Sequence, residues 1–179
     1  MKILKSLASV FVIFYLSGCG YSTHAYIGPY KTIYISPFKN AINIASIKSE
    51  NANYANYYPL LESNITQGVV DKFIAEGSLK VVDEKDADLI LKGELKSYQH
   101  DVLNYAPNIE DVKEYRTTLI VDMTLYKAKD MSVIWQKNNF AGDTTYYIIG
   151  PQAKTEQDAL DDAMKDLSRR VMEAVVEAW

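Results

Sequence analysis

Cysteine occurs once in the 179 residues, at Cys19, and histidine twice, at His24 and His100. A single thiol closes no disulfide within the chain, so the fold must stand without one. No CxxC pair and no HExxH helix is present, so no metal-ligand spacing can be read. The acidic clusters at 83–88, 110–114 and 158–162 lack the glycine of a calcium loop and read as solvated turns and a helix start. A Gly-rich phosphate loop is missing too. His24 lies in a polar, Gly/Pro-marked stretch, and His100 stands beside Asp101, where neighbours on a strand point to opposite faces. No catalytic residue, metal or cofactor is therefore expected. The formal charge of −4 argues against a nucleic-acid partner. Acidic residues are absent before Glu50, so 19–49 carries only Lys31, Lys39 and Lys48.

The N-terminus is a different material from the rest. Lys2 and Lys5 precede an almost wholly apolar run at 7–16, followed by the small pair Ser17-Gly18. This is the plan of a secretory signal peptide, and the run is too short for a membrane-spanning helix. The sequence Leu16-Ser17-Gly18-Cys19 resembles a bacterial lipobox. That resemblance implies cleavage before Cys19, N-acyl and S-diacylglycerol groups on it, and no thiolate left for chemistry. Several acyl chains anchor stably where one does not. Gly20, in place of Asp, implies sorting to the outer membrane. The expected division is a signal peptide over 1–18, a lipidated linker over 19–30 and one domain over 31–179. Removing Lys2 and Lys5 leaves 17 basic residues against 23 acidic, a formal −6.

Periodicity supplies the domain's elements. Lys31–Phe38 alternates and reads as a strand, with Ile33 and Ile35 inward. Residues 40–56, with five Asn, read as a loop. Leu61, Ile65, Val69 and Phe73 recur at i+4, predicting a helix with Pro59 in its first turn that stops at Gly77. A short strand follows at 78–83. Segments 89–100, 115–127 and 133–141 predict an antiparallel meander with one packed and one wet face, and 101–114 a loop between its first two strands. Thr155 and Asp158 predict a capping box. Leu160, Ala163, Leu167, Val171, Ala174 and Ala178 then predict the closing helix. The order β-α-β-β-β-β-α implies an α+β fold, two helices on one face of a four- to five-stranded, mostly antiparallel sheet.

Alternation places Lys92, Glu94, Lys96, Tyr98 and His100 on the wet face of the meander, with Arg116, Thr118 and Tyr126 from the next strand. Lys92, Lys96 and Arg116 are the candidate contacts for an anionic, amphipathic ligand. Tyrosine is abundant, 14 residues against five Phe and two Trp. Its clusters at 54, 57 and 58 and at 105, 146 and 147 fall in predicted loops or joins, where aromatics suit a partner interface.

Several stretches in order resemble one family. They are the lipobox running into "GCGYS", "TIYISPFKN", "LLESNITQGVVDKFIAEGSLKVVD", "ADLILKGELKSYQ", "TLIVDMTLYKAKDMSVIWQ" and "ALDDAMKDLSRRVMEAVVEAW". Together they resemble the LPS-assembly lipoprotein LptE family across nearly the whole mature chain. The resemblance implies an α/β sandwich and a non-enzymatic role. It implies a 1:1 plug inside an LptD-like outer-membrane β-barrel, help in that barrel's assembly, binding of lipopolysaccharide on its way to the cell surface, and a lipid anchor at the periplasmic face of the outer membrane. Cys19 is the one family position the motifs transfer. "IYISPFKN" and "ADLILKGEL" also look like the openings of LpoB-like activators of peptidoglycan synthases and of the curli-secretion subunit CsgG, which is the alternative reading.

Overall fold

The computed structural model describes residues 28–42, 59–105 and 112–178. Its elements are β1 (Thr32–Ile35), β2 (Lys39–Asn40), α1 (Leu61–Glu76), β3 (Lys80–Val81), a 3₁₀ turn (Glu84–Asp86), β4 (Leu89–Tyr105), β5 (Val112–Lys127), β6 (Val133–Tyr147) and α2 (Glu156–Val176). The sheet has six strands in the order β3-β1-β4-β5-β6, with β2 also on β4. The expected α+β class holds, with two corrections. The sheet is mixed, because β1 pairs in parallel with β3 and β4, and β2 in parallel with β4. The sixth strand is the two-residue β2, too short to carry a sequence period.

The expected loop at 101–114 is also corrected at both ends. β4 runs to Tyr105 and β5 starts at Val112. At 17 residues, β4 is about three times the usual strand length. Polar residues sustain it because a paired backbone is satisfied whatever the side chains. Of the segment read as loop 40–56, Asn40 belongs to β2, and 43–56 lies outside the described residues.

α1 buries Leu61, Ile65, Val69 and Phe73, the i+4 row read from the sequence. Pro59 stands before the helix, and Leu60 is its N-cap. Gly77 ends it at φ +79°, a conformation that favours glycine, and its N–H donates to the Phe73 carbonyl at 3.0 Å. Thr66 Oγ1 fastens the other side, accepting from the Phe38 N–H at 2.9 Å and donating to the Glu62 carbonyl at 2.7 Å.

α2 begins with the expected capping box on Thr155 and Asp158. Leu160, Ala163, Leu167, Val171 and Ala174 are buried as read; Ala178 lies past the helix end and is exposed. The outer face of α2 is laced with ion pairs. Arg169 holds Asp166 at 2.5 Å and Glu173 at 2.8 Å, and Asp162 takes Lys154 at 2.6 Å and Lys165 at 3.2 Å. Both helices pack on one face of the sheet and on each other, and the core between them includes Phe73, Leu91, Leu95, Leu119, Met123 and Leu167. The edge strand β6 is partly covered, since the Asp143 N–H donates to Asp166 of α2 at 3.2 Å.

Where the described chain enters the sheet, Asp88 acts as a pin. Its Oδ2 accepts the N–H groups of Lys31 at 2.9 Å and Thr32 at 3.1 Å. These bonds, that of Lys31 foremost, hold the Asp88 carboxyl below its ordinary value. A depressed carboxyl stabilises the fold above its unfolded pKa, and that stability is lost as pH falls through the folded value. Asp88→Asn should therefore lower stability at pH 7 by about 1 kcal/mol, the low end for a charged bond because the group is exposed. In urea titrations the gap from the parent should narrow as pH is lowered from 7 through the unfolded carboxyl's 3.8 toward the depressed folded value; a gap that stays equal across that range would contradict the pin.

Candidate interaction site

The sheet face away from the helices carries the three basic residues singled out from the sequence. Lys92 stands opposite Thr124, with its ammonium 5.3 Å from the centre of the Tyr126 ring. Lys96 sits at a β-bulge without a register partner on β5, 4.0 Å from Asp122. Arg116 stands opposite Asp101 and Thr145, 3.7 Å from Asp143. From Thr124 to Arg116 is eight residues, about 26 Å of strand. The three cations thus lie in a row along one face, each with its own partner, and do not converge on a single pocket.

The bulge changes which residues share that row. Before it, Leu91, Gly93 and Leu95 point to the core. After it, Ser97 pairs with Ile120 and Tyr98 with Leu119, so the alternation slips by one. Tyr98 and His100 turn to the helix face, not to the wet face with Lys92 and Lys96 as alternation alone predicts. Tyr98 donates its hydroxyl to Glu156 Oε1 at 2.8 Å. His100 Nδ1 lies 3.8 Å from the same oxygen, and its Nε2 is 2.9 Å from the Tyr146 hydroxyl. The His100 ring is 4.3 Å from that of Tyr115, which stacks on Tyr146 at 5.8 Å. Tyr146, read as a loop aromatic, is buried in β6. Tyr54, Tyr57 and Tyr58 lie outside the described residues, as do Cys19 and His24.

Chemically this cluster is a clasp. His100 directs its two ring nitrogens toward Tyr146 and Glu156, and Glu156 is the first residue of α2, so the clasp ties the helix start to the distal sheet. Thr117, opposite His100, is fully buried and its hydroxyl has no hydrogen-bond partner. Among the described residues no group of three or more His, Cys, Asp or Glu is placed to hold a metal.

Past the clasp the sheet end is apolar. Val102, Leu103, Tyr147, Ile148 and Ile149 are 38–49% exposed. Val102 pairs with Tyr115 and Tyr147 with Glu114, so these residues gather at the end of β4, β5 and β6 opposite the chain's entry. Exposed aliphatics concentrated in one place mark an interaction surface more than scattered ones do. This end was missed in sequence because 101–114 reads as a polar loop; the run Tyr147-Ile148-Ile149, apolar yet outside any period, was the available signal.

A search of curated proteins gives no match. Among solved structures, protein XCC0632 from Xanthomonas campestris is similar with a TM-score of 0.52 at 11% identity, over 83% of this chain and 85% of its own. The hypothetical protein CT253 from Chlamydia trachomatis gives 0.50 at 11% identity, over 84% and 97%. An uncharacterized lipoprotein B from Nitrosomonas europaea gives 0.49 at 14%, over 88% and 87%. At such identities the first two of these likenesses show the fold alone. The family model described as "LptE: Lipopolysaccharide-assembly" matches residues 30–175, which span every strand and helix of the domain except Val176, the last residue of α2. The chain belongs to the LptE lipopolysaccharide-assembly family.

Proposed function

We propose that this chain is an outer-membrane lipoprotein, anchored through acylated Cys19, that plugs and helps assemble an LptD-like β-barrel and binds lipopolysaccharide during its delivery to the cell surface. The observation that carries the reading is the family match over residues 30–175. The role asks for binding and scaffolding, and the domain's chemistry accords with that: its histidine, tyrosine and glutamate are engaged with one another in a clasp. Two surfaces suit the two partners. The apolar end at Val102, Leu103 and Tyr147–Ile149 suits a barrel wall or acyl chains. Lys92, Lys96 and Arg116, spaced along one sheet face, suit the phosphates of an extended anionic glycolipid better than a small anion. The pairing of Lys96 with Asp122 and of Arg116 with Asp143 is exposed and weak enough to exchange for phosphate. A lipid tether raises the domain's effective concentration at the membrane without any new contact.

The test is affinity capture of the lipidated protein from its native membrane. Recovery of a large outer-membrane β-barrel in equal amount is expected. Recovery of a peptidoglycan synthase or a curli-secretion complex, without the barrel, would overturn the reading.

A further inference from the structure

The far end of β4 has an open backbone edge. β1 and β2 pair with β4 only as far as Leu95. Ala41 N–H still donates to the Leu95 carbonyl at 2.9 Å, and Ile42 N–H then turns back to Asn40 Oδ1 at 3.0 Å. β5 holds the other side of β4 to its end. The register shows which groups face outward. Asp143 N–H leaves the sheet for Asp166. Its partner Thr118 therefore faces β4, and Gln99, opposite Thr118, faces β5. Backbone groups alternate along a strand, so those of Asp101 also face β5 and those of His100 and Val102 point away from it. Among the described residues no backbone pairs with His100 or Val102 on that side.

The edge of β6, by contrast, is guarded. The Asp143 N–H is taken by Asp166, the Tyr147 carbonyl by Lys154 N–H at 2.8 Å, and Asn139, at φ +52°, gives its N–H to Asp122 at 2.8 Å. From His100 to Tyr105, β4 carries no lysine, arginine or proline to discourage a neighbour. Its one carboxylate, Asp101, is exposed, and Arg116 across from it turns to Asp143. No Lys or Arg nitrogen lies within 4.0 Å of Asp101 among the described residues. Val102 and Leu103 beside it are 40% and 41% exposed and belong to the apolar end. Acyl chains cannot satisfy backbone N–H and C=O groups, and each group left bare in such surroundings costs free energy. A protein strand satisfies them. We infer that this edge takes a short extended segment of the protein partner by strand addition, with a basic residue opposite Asp101 and apolar residues opposite Val102 and Leu103. A second copy pairing about the same centre would set Asp101 against Asp101, which disfavours it. Register shifts after Val102 and after Asn104 bend the end of β4. The pairing is therefore short, about four backbone hydrogen bonds. The inference rests on the partner-binding part of the proposed function and adds what covers this edge: protein backbone, not acyl chains.

The test compares backbone amide exchange in the full lipidated chain, purified alone in detergent and as the complex captured from its native membrane. Amides of Gln99 and Asp101, bonded to β5, should exchange slowly in both. Those of His100 and Val102 should exchange fast in the lone chain and at least about a hundredfold slower in the complex. Slow His100 and Val102 amides in the lone chain would show that the chain covers its own edge. Equally fast amides in both states would show that the partner leaves it bare. Either result overturns the inference. Val102→Pro removes one edge N–H where proline is tolerated, and should shorten the lifetime of the complex about fivefold. Asp101→Lys, on the exposed face, should shorten it about threefold and replaces the proline variant if that fails to fold. Parental lifetimes in the folded variants also overturn the inference. Mass spectrometry of the captured protein separates this inference from the plug. A barrel recovered with His100 and Val102 unprotected removes the inference and leaves the plug. Protection by a protein that is not a β-barrel leaves the inference and removes the plug, and no captured protein removes both.

Discussion

Gly142→Val should cost the domain about 3 kcal/mol, the upper part of the range for overpacking a close-packed core. Gly142 lies in β6 opposite Leu119, where α2 crosses the sheet. A Cβ built there would fall on the Cα, Cβ and backbone nitrogen of Leu167. Two are helix backbone atoms and the third is bonded to them, not the end of a flexible side chain, so relief requires moving α2 as a body. Such a shift would also strain the clasp of Tyr98 and His100 on Glu156. For a domain of this size the loss corresponds to about 6–12 °C in Tm. Gly77→Ala is the control. Nothing lies within 4 Å of a Cβ there, but φ is +79°, so its cost is backbone strain of about 1 kcal/mol. A Gly142→Val protein melting with the parent would contradict the packing of α2 on β6.

Cys19→Ser should abolish acyl labelling, leave the signal peptide uncleaved and displace the protein from the outer membrane. The effect is all-or-none because the modification chemistry needs the thiol and a serine hydroxyl does not replace it. Each buried CH₂ of an acyl chain contributes about 0.8 kcal/mol, so losing several chains removes the membrane affinity that holds the protein in place. Radiolabelled palmitate with fractionation reads both effects. Normal labelling of the variant would rule out Cys19 as the anchor.

The two helices were legible residue by residue, because four buried positions at i+4 in α1 and five of the six named in α2 are core positions and the period carries that directly. So was the inward pair of β1, Ile33 and Ile35. The parallel pairing of β1 with β4 was not legible, because alternation fixes a face but not a neighbour. The bulge at Lys96 was invisible for a related reason. Period 2 continues across "GELKSYQH" with no glycine or proline at the slip, so Tyr98 and His100 look like wet-face residues. Only the register against Ile120 and Leu119 shows that they cross to the helix side. The clasp therefore had no sequence signature: its members come from β4, β5, β6 and α2, and a single bulge brings them together. Lys92, Lys96 and Arg116 do share the face that alternation assigned, but their spacing of about 26 Å becomes visible only from the register.

Under the proposed function, this domain serves lipopolysaccharide delivery at the outer membrane. Depleting the protein in its native bacterium and measuring newly made lipopolysaccharide at the cell surface tests it most directly. Surface lipopolysaccharide should fall while its synthesis continues, and the parent chain should restore it. Undiminished surface delivery after complete depletion would contradict it.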